Sequence, residues 1–186
     1  MKKFLIVITV SLLNMQGFAQ NLLTVFEKSN GSKTATYMQC IKYYFSLEKM
    51  YETISIKNFD TTDAGYPLQL VLFSTDKKFD PVQWHKQHKI VVLINNGIHP
   101  GEPDGIDASM MLVRDLCTAK IKVPENVVVA VIPVYNIGGC LNRSANYRID
   151  QNGPKEKGFR ENSENLDLNR DFIKYDSIAP CPPNHG

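Results

Sequence analysis

Residues 89–105 read KIVVLINNGIHPGEPDG, and the fold follows from how that stretch changes character along its length. Residues 89–95 (KIVVLIN) form a near-continuous apolar run, the pattern of a strand covered on both faces. Asn96-Gly97 ends the run, and a loop follows that carries Ile98-His99-Pro100-Gly101-Glu102-Pro103. From Asp104 to about Thr118 the spacing of Ile106, Met110, Val113 and Leu116 is helical, with Asp104 placed to cap the first turn. Residues 126–134 then repeat the apolar strand pattern. Strand, helix and strand in about 45 residues make a βαβ unit, the crossover that parallel strands require. Working outward, 35–53 reads as a helix with aromatic and aliphatic residues on one side, and 67–74 (PLQLVLFS) reads as a further strand. The fold class expected is α/β, with a mixed, mostly parallel sheet flanked by helices.

The chain has 186 residues, 43% hydrophobic and 22% charged, which is enough to bury a core and unlike a disordered tail. Its first 20 residues, MKKFLIVITVSLLNMQGFAQ, place Lys2 and Lys3 before an apolar run from Phe4 to Leu13, with Gly17 and Ala19 flanking Phe18. That order is the one a secretory signal requires, with cleavage expected after Ala19. The run is too short to cross a hydrocarbon layer of about 30 Å as a helix. Residues 1–19 are therefore expected as a signal peptide and 20–186 as one domain, secreted or periplasmic. Lys and Arg total 21 against 19 acids, and two of the lysines lie in the presequence. The balanced remainder excludes recognition of nucleic acid or a membrane surface through a basic face. Cys40, Cys117, Cys140 and Cys181 form no CxxC pair, so no cysteine zinc site is expected and no disulfide is assigned. Cys40 and Cys117 fall in expected helices, as buried apolar residues.

Two segments carry chemistry. In an open α/β sheet, ligands bind beyond the carboxyl ends of the strands, which is where His99 and Glu102 fall. An imidazole and a carboxylate three residues apart across a Pro-Gly turn can converge on one cation, and both are zinc donors. Pro100 fixes φ there, and Gly101 permits conformations closed to other residues. A bare HxxE pair also describes a His and a Glu that merely solvate a loop. The second segment is RENSENLDLNRDF at 160–172, within a stretch from 136 to 170 rich in Asn, Gly, Arg and Asp. Arg160 and Arg170 offer guanidinium forks for anions, and Asn169 adds an amide donor. Asp167 is short enough to accept a proton from the far nitrogen of a metal-bound imidazole. A solvated loop with surface salt bridges accounts for the same residues.

Taken together and in this order, NNGIHPGEPDG (95–105), PVYNIGG (133–139) and FRENSENLDLNRDF (159–172) resemble the zinc carboxypeptidases, the carboxypeptidase A-like metallopeptidases. The resemblance implies one Zn2+ ion, with His99 and Glu102 as its first two ligands and Asp167 fixing the His99 ring. It implies that Arg160 stabilises the oxyanion, and that Asn169 and Arg170 bind the free C-terminal carboxylate of a peptide substrate. A buried guanidinium left without that carboxylate would be costly, which would explain selection against internal peptide bonds. Asn136-Ile137-Gly138-Gly139 stands where the family often has Asn-Pro-Asp-Gly, read here as structural variation.

The family also needs a downstream histidine as third ligand and a glutamate as general base. Only His185 follows Arg170, at the very terminus, and His85 and His88 precede the metal loop as expected surface residues. The expectation is therefore a truncated copy holding a partial catalytic domain. Two other readings stay open: an amidohydrolase or deacylase of the same superfamily, acting on N-acyl amino acids or cell-wall peptides, and a non-catalytic module that binds carboxylates.

Overall fold

The computed structural model describes residues 22–171. The chain runs α1 (Val25–Lys28), α2 (Tyr37–Met50), β1 (Ile54–Thr61), β2 (Pro67–Ser74), α3 (Pro81–Lys86), β3 (Ile90–Asn95), α4 (Asp104–Cys117), β4 (Val127–Ile132) and α5 (Ile137–Leu141). A small ribbon of β5 (Arg143–Ser144) and β6 (Lys157–Gly158) follows, then a 3-10 turn (Leu168–Arg170). The expected signal peptide, Cys181 and His185 lie outside the described residues.

Helix α2 starts where Thr36 and Gln39 cap each other reciprocally, the Thr hydroxyl accepting from the Gln39 N–H and the Gln side chain accepting from the Thr36 N–H. Its buried stripe of Tyr37, Cys40, Ile41, Tyr44 and Leu47 packs with Ile106, Met110, Val113 and Leu116 of α4. Together they cover one face of the sheet through Val71, Phe73, Val129 and Val131. The alternate positions Leu72, Val128 and Ala130 face the other way and meet Trp84 of α3. Helices thus flank both faces. Cys40, Cys117 and Cys140 are free thiols, with Cys40 and Cys140 buried. Burial pushes Cys40 well above the usual thiol range. Among the described residues, no helix is long and apolar enough to cross a membrane.

The sheet order is β1-β2-β4-β3. β3 and β4 run parallel, paired from Ile90↔Val127 to Asn95↔Ile132, with α4 as the crossover. β1/β2 and β2/β4 are antiparallel, so the sheet is mixed, and its parallel share among the described residues is the single βαβ unit. Of the four strands in this sheet, the sequence reading missed β1. Its apolar alternation covers only Ile54 and Ile56, and the rest of the strand is solvent-exposed, so the sequence carries little period-2 signal.

Two further expectations need correction. β3 is a strand, but it is not covered on both faces: Ile90, Val91, Val92 and Leu93 are 56%, 48%, 44% and 61% exposed. Among the described residues it pairs only with β4 and forms the sheet edge. Asp104 is the first helical residue of α4 rather than its cap, and Pro103 holds the cap position without a side-chain bond. The acid still sits in the first turn, where the helix dipole favours it.

Candidate metal centre

The loops that leave β3 and β4 run side by side past the sheet. Tyr135 N–H donates to the Asn96 carbonyl at 2.8 Å and Asn136 N–H to the Gly97 carbonyl at 3.0 Å. Gly97 is at φ +65°, and a side chain there would press on Ile106 and Val134. This path delivers His99 to a buried position at the carboxyl end of β3. Glu102 N–H donates to the His99 carbonyl at 2.9 Å, closing the turn, so both side chains leave on one side. His99 Nδ1 lies 3.7 Å from Glu102 Oε1. Two ligands of one tetrahedral zinc, each at about 2.0–2.2 Å, stand about 3.3–3.6 Å apart, so the pair is close to ligand spacing.

The other ring nitrogen is engaged by the second segment. His99 Nε2 is 2.9 Å from Asp167 Oδ1. With Nε2–H donating to that carboxylate, Nδ1 presents its lone pair beside Glu102. Asp167 is the hub of the cluster. Its Oδ1 also accepts from the Asn169 N–H at 3.0 Å, and its Oδ2 faces Arg160 Nε at 3.1 Å and Nη2 at 3.0 Å. Burial opposes the ionised form, but the hydrogen bonds from His99, the Asn169 N–H and Arg160 outweigh it and hold the carboxyl down at about 2.

The turn that presents Asp167 is built by Asn162. Its buried side-chain oxygen accepts from Glu164 N–H at 3.0 Å and Leu166 N–H at 2.9 Å. Asn165 takes the left-handed conformation at φ +61°, which asparagine tolerates.

His99, Glu102, Asp167 and Arg160 are thus brought together. Asn169 and Arg170 lie on the adjoining 3-10 turn, both exposed, with Arg170 Nη1 donating to the Asn169 carbonyl at 3.1 Å. The buried guanidinium assumed in the sequence argument is therefore corrected: Arg170 is open to solvent. Among the described residues, no group of three or more His, Cys, Asp or Glu could hold a metal. The imidazole nitrogen and carboxylate oxygen present are zinc-type donors at fitting separation, so the two fit that ion as half of a ligand set.

Several residues that shape this site were not singled out as such by sequence reasoning. Asn136, fully buried, caps α5 by accepting from Gly139 N–H at 2.8 Å. Its amide nitrogen donates to the Arg160 carbonyl at 3.0 Å and the Ile98 carbonyl at 3.4 Å, tying the two segments to each other. A Cβ on Gly139 would stand 2.6 Å from the carbonyl oxygens of Glu161 and Phe159. Asn136-Ile137-Gly138-Gly139 is therefore the seat on which 159–163 lies. Gly101 also needs correction. It does not occupy the left-handed region; what requires glycine is space, since a Cβ would meet Arg148 Nε at 2.5 Å and the Gly158 carbonyl oxygen at 2.9 Å. Arg148 Nη2 in turn lies 2.6 Å from Glu102 Oε1. Asn136, Gly139 and Gly101 stood within the quoted segments, but the contacts they make, and Arg148 altogether, are found only in space, because asparagine, glycine and arginine abound throughout 136–170.

A hollow of about 340 Å³ opens beside the first turn of α4, lined by Phe26, Thr34, Asp107 and Pro154 among others, but by none of the residues of the cluster.

Comparison with known proteins bears on the fold and the family. Curated protein sequences give no match. Carboxypeptidase A from Helicoverpa armigera is similar in structure, with a TM-score of 0.51 and 17% identity over 64% of this chain and 31% of that one. The metallo-carboxypeptidase of Burkholderia cenocepacia gives 0.55 and 18% identity over 75% of this chain and 33% of that one. Bovine thrombin-activatable fibrinolysis inhibitor, solved with tick carboxypeptidase inhibitor, gives 0.55 and 16% over 76% and 44%. At these identities the likeness is one of fold, and the chain spans from 31% to 44% of the three lengths. The sequence model for the family described as zinc carboxypeptidase matches residues 40–185. That match takes in the loop of His99 and Glu102, the α5 seat and the Asp167 turn alike, and the chain belongs to the zinc carboxypeptidase family.

Proposed function

We propose that this chain contributes His99 and Glu102 as ligands of one zinc ion in an exported metallocarboxypeptidase that removes C-terminal residues from peptides. The observation that carries the reading is the Asp167–His99 contact at 2.9 Å, with Glu102 on the opposite nitrogen. A loop that merely solvated its charges would have no reason to bury an imidazole between two carboxylates drawn from distant segments.

When bound, zinc would polarise the scissile carbonyl and lower the pKa of a coordinated water towards about 7. Asp167 holds the His99 ring and its tautomer, so the donor nitrogen is aimed before the ion arrives. Arg160, anchored through Nε and Nη2 on the Asp167 oxygen that does not face His99, is the candidate to serve negative charge developing on the carbonyl oxygen. Asn169 and Arg170, one turn on, are the candidates for the substrate carboxylate. The third zinc donor and the general base are assigned to no described residue. Export rests on the lysine-first, apolar, small-residue order of residues 1–19.

The test is binding of a blocked peptide with a free C-terminus to the zinc-supplemented chain, measured calorimetrically beside its C-terminal amide and the Arg170→Ala variant. Tighter binding of the free acid, lost in the variant, is the expected result. Equal affinity for acid and amide contradicts the carboxypeptidase reading.

A further inference from the structure

We propose that Arg148 is a positioning residue of the metal centre, reaching across the bare Cα of Gly101 to hold the Glu102 carboxylate beside His99. The proposal rests on the zinc reading given above and adds a residue to it.

Glu102 is half-exposed, with 53% of its side chain open to solvent. A carboxylate on so open a side chain ordinarily samples several rotamers, and each costs metal affinity when it must be frozen. Arg148 removes that freedom. Its Nη2 stands 2.6 Å from the same Oε1 that lies 3.7 Å from His99 Nδ1. A carboxylate oxygen has two lone pairs, so one can face the guanidinium while the other faces a cation.

Arg148 is itself held. Its side chain is 26% exposed, and its stem lies on Gly101. Its backbone is left-handed at φ +53°, a conformation few side chains adopt without a reason in their surroundings. Gln151 N–H donates to the Arg148 carbonyl at 3.0 Å, and the Gln151 side chain donates to the Gly101 carbonyl at 3.1 Å. One short segment therefore grips both the residue before Glu102 and the arginine that orients it. The Nε and Nη2 of Arg148 are both out of solvent and neither makes a hydrogen bond among the described residues, so the 2.6 Å approach of Nη2 to Glu102 is a charge contact rather than an aligned hydrogen bond. Carrying an unpartnered buried donor is costly, which makes an ornamental surface ion pair a poor description.

The opposing role would be a counter-ion that competes with the metal for Glu102. The two differ in sign. A positioning residue strengthens zinc binding and a competitor weakens it.

The experiment measures zinc affinity by chelator competition for wild type, Arg148→Met, Arg148→Lys and His99→Ala, with melting temperature recorded with and without zinc. Outer-shell partners of metal ligands typically contribute about 10–100-fold in affinity. Arg148→Met is expected to lose that factor while its metal-free melting temperature stays near wild type, so that the zinc-induced rise shrinks. Arg148→Lys, which keeps the charge and most of the stem, is expected to fall between the two and guards against a methionine variant that fails to fold. Unchanged or tighter zinc binding in a folded Arg148→Met or Arg148→Lys protein overturns the proposal and leaves the zinc reading standing. Wild-type zinc binding no better than that of His99→Ala overturns both.

Discussion

His99 Nε2 and Asp167 Oδ1 stand 2.9 Å apart although 68 positions separate them in the chain. That contact joins the loop after β3 to the turn before the 3-10 segment, and it fixes which face of the imidazole looks toward Glu102. Removing it leaves the ring free to rotate. Asp167→Ala is expected to weaken zinc binding by about 10–100-fold, and Asp167→Asn, which keeps an acceptor, by less. Chelator competition measures both, and equal affinities in all three proteins would contradict the role.

Asn136 makes the scaffold prediction. Its buried amide serves Gly139, Arg160 and Ile98 at once. Asn136→Ala leaves those backbone groups without their partner, at about 1–3 kcal/mol for each group left buried and unsatisfied. Urea unfolding should show the loss as a lower midpoint with an unchanged slope. A midpoint equal to wild type would mean that water replaces the side chain.

Gly139→Ala tests the close approach directly. The obstacles to a Cβ are carbonyl oxygens at 2.6 Å, and backbone cannot swing aside as a side-chain tip can. A loss of about 1–3 kcal/mol in unfolding free energy is expected, as for other overpacked sites. Gly65, whose Cβ would meet nothing within 4 Å but whose φ is +76°, is the contrasting control, since its penalty is conformational alone.

The acid limb of stability is expected to depend on Asp76. Its carboxyl is held at about 2 by Lys89, 2.6 Å away, and by the Ser74 hydroxyl, with burial opposing. A depressed acid stabilises the fold fully above its ordinary value near 3.8 and loses that contribution as pH falls toward about 2. Lys89 leads directly into β3, so the pair anchors the strand that leads to His99 and Glu102. Asp76→Asn should be less stable than wild type at pH 7, and the two curves should converge between about pH 4 and pH 2. Parallel curves across that window would contradict the assignment.

The sequence made the βαβ unit legible because α4 and β4 carry strong, single-period apolar patterns over adequate length. It failed for β1, whose polar outer half hides the alternation, and for the surroundings of β3, since an apolar run cannot say whether a neighbour is present to cover it. His99, Glu102, Asp167 and Arg160 were singled out by residue type, and their expected roles came from the resemblance of three ordered segments to the zinc carboxypeptidases rather than from spacing alone. The supporting residues were not. Asn136, Arg148 and the space above Gly101 act through contacts between segments distant along the chain, and no local pattern encodes such a meeting.

Zinc titration of the intact chain, followed calorimetrically beside His99→Ala and Glu102→Ala, bears most directly on the shared-cation geometry. The account predicts one ion per chain in the wild type and binding lost or greatly weakened in each variant. Wild-type binding that survives both substitutions undiminished, or no binding in any of the three, would contradict it.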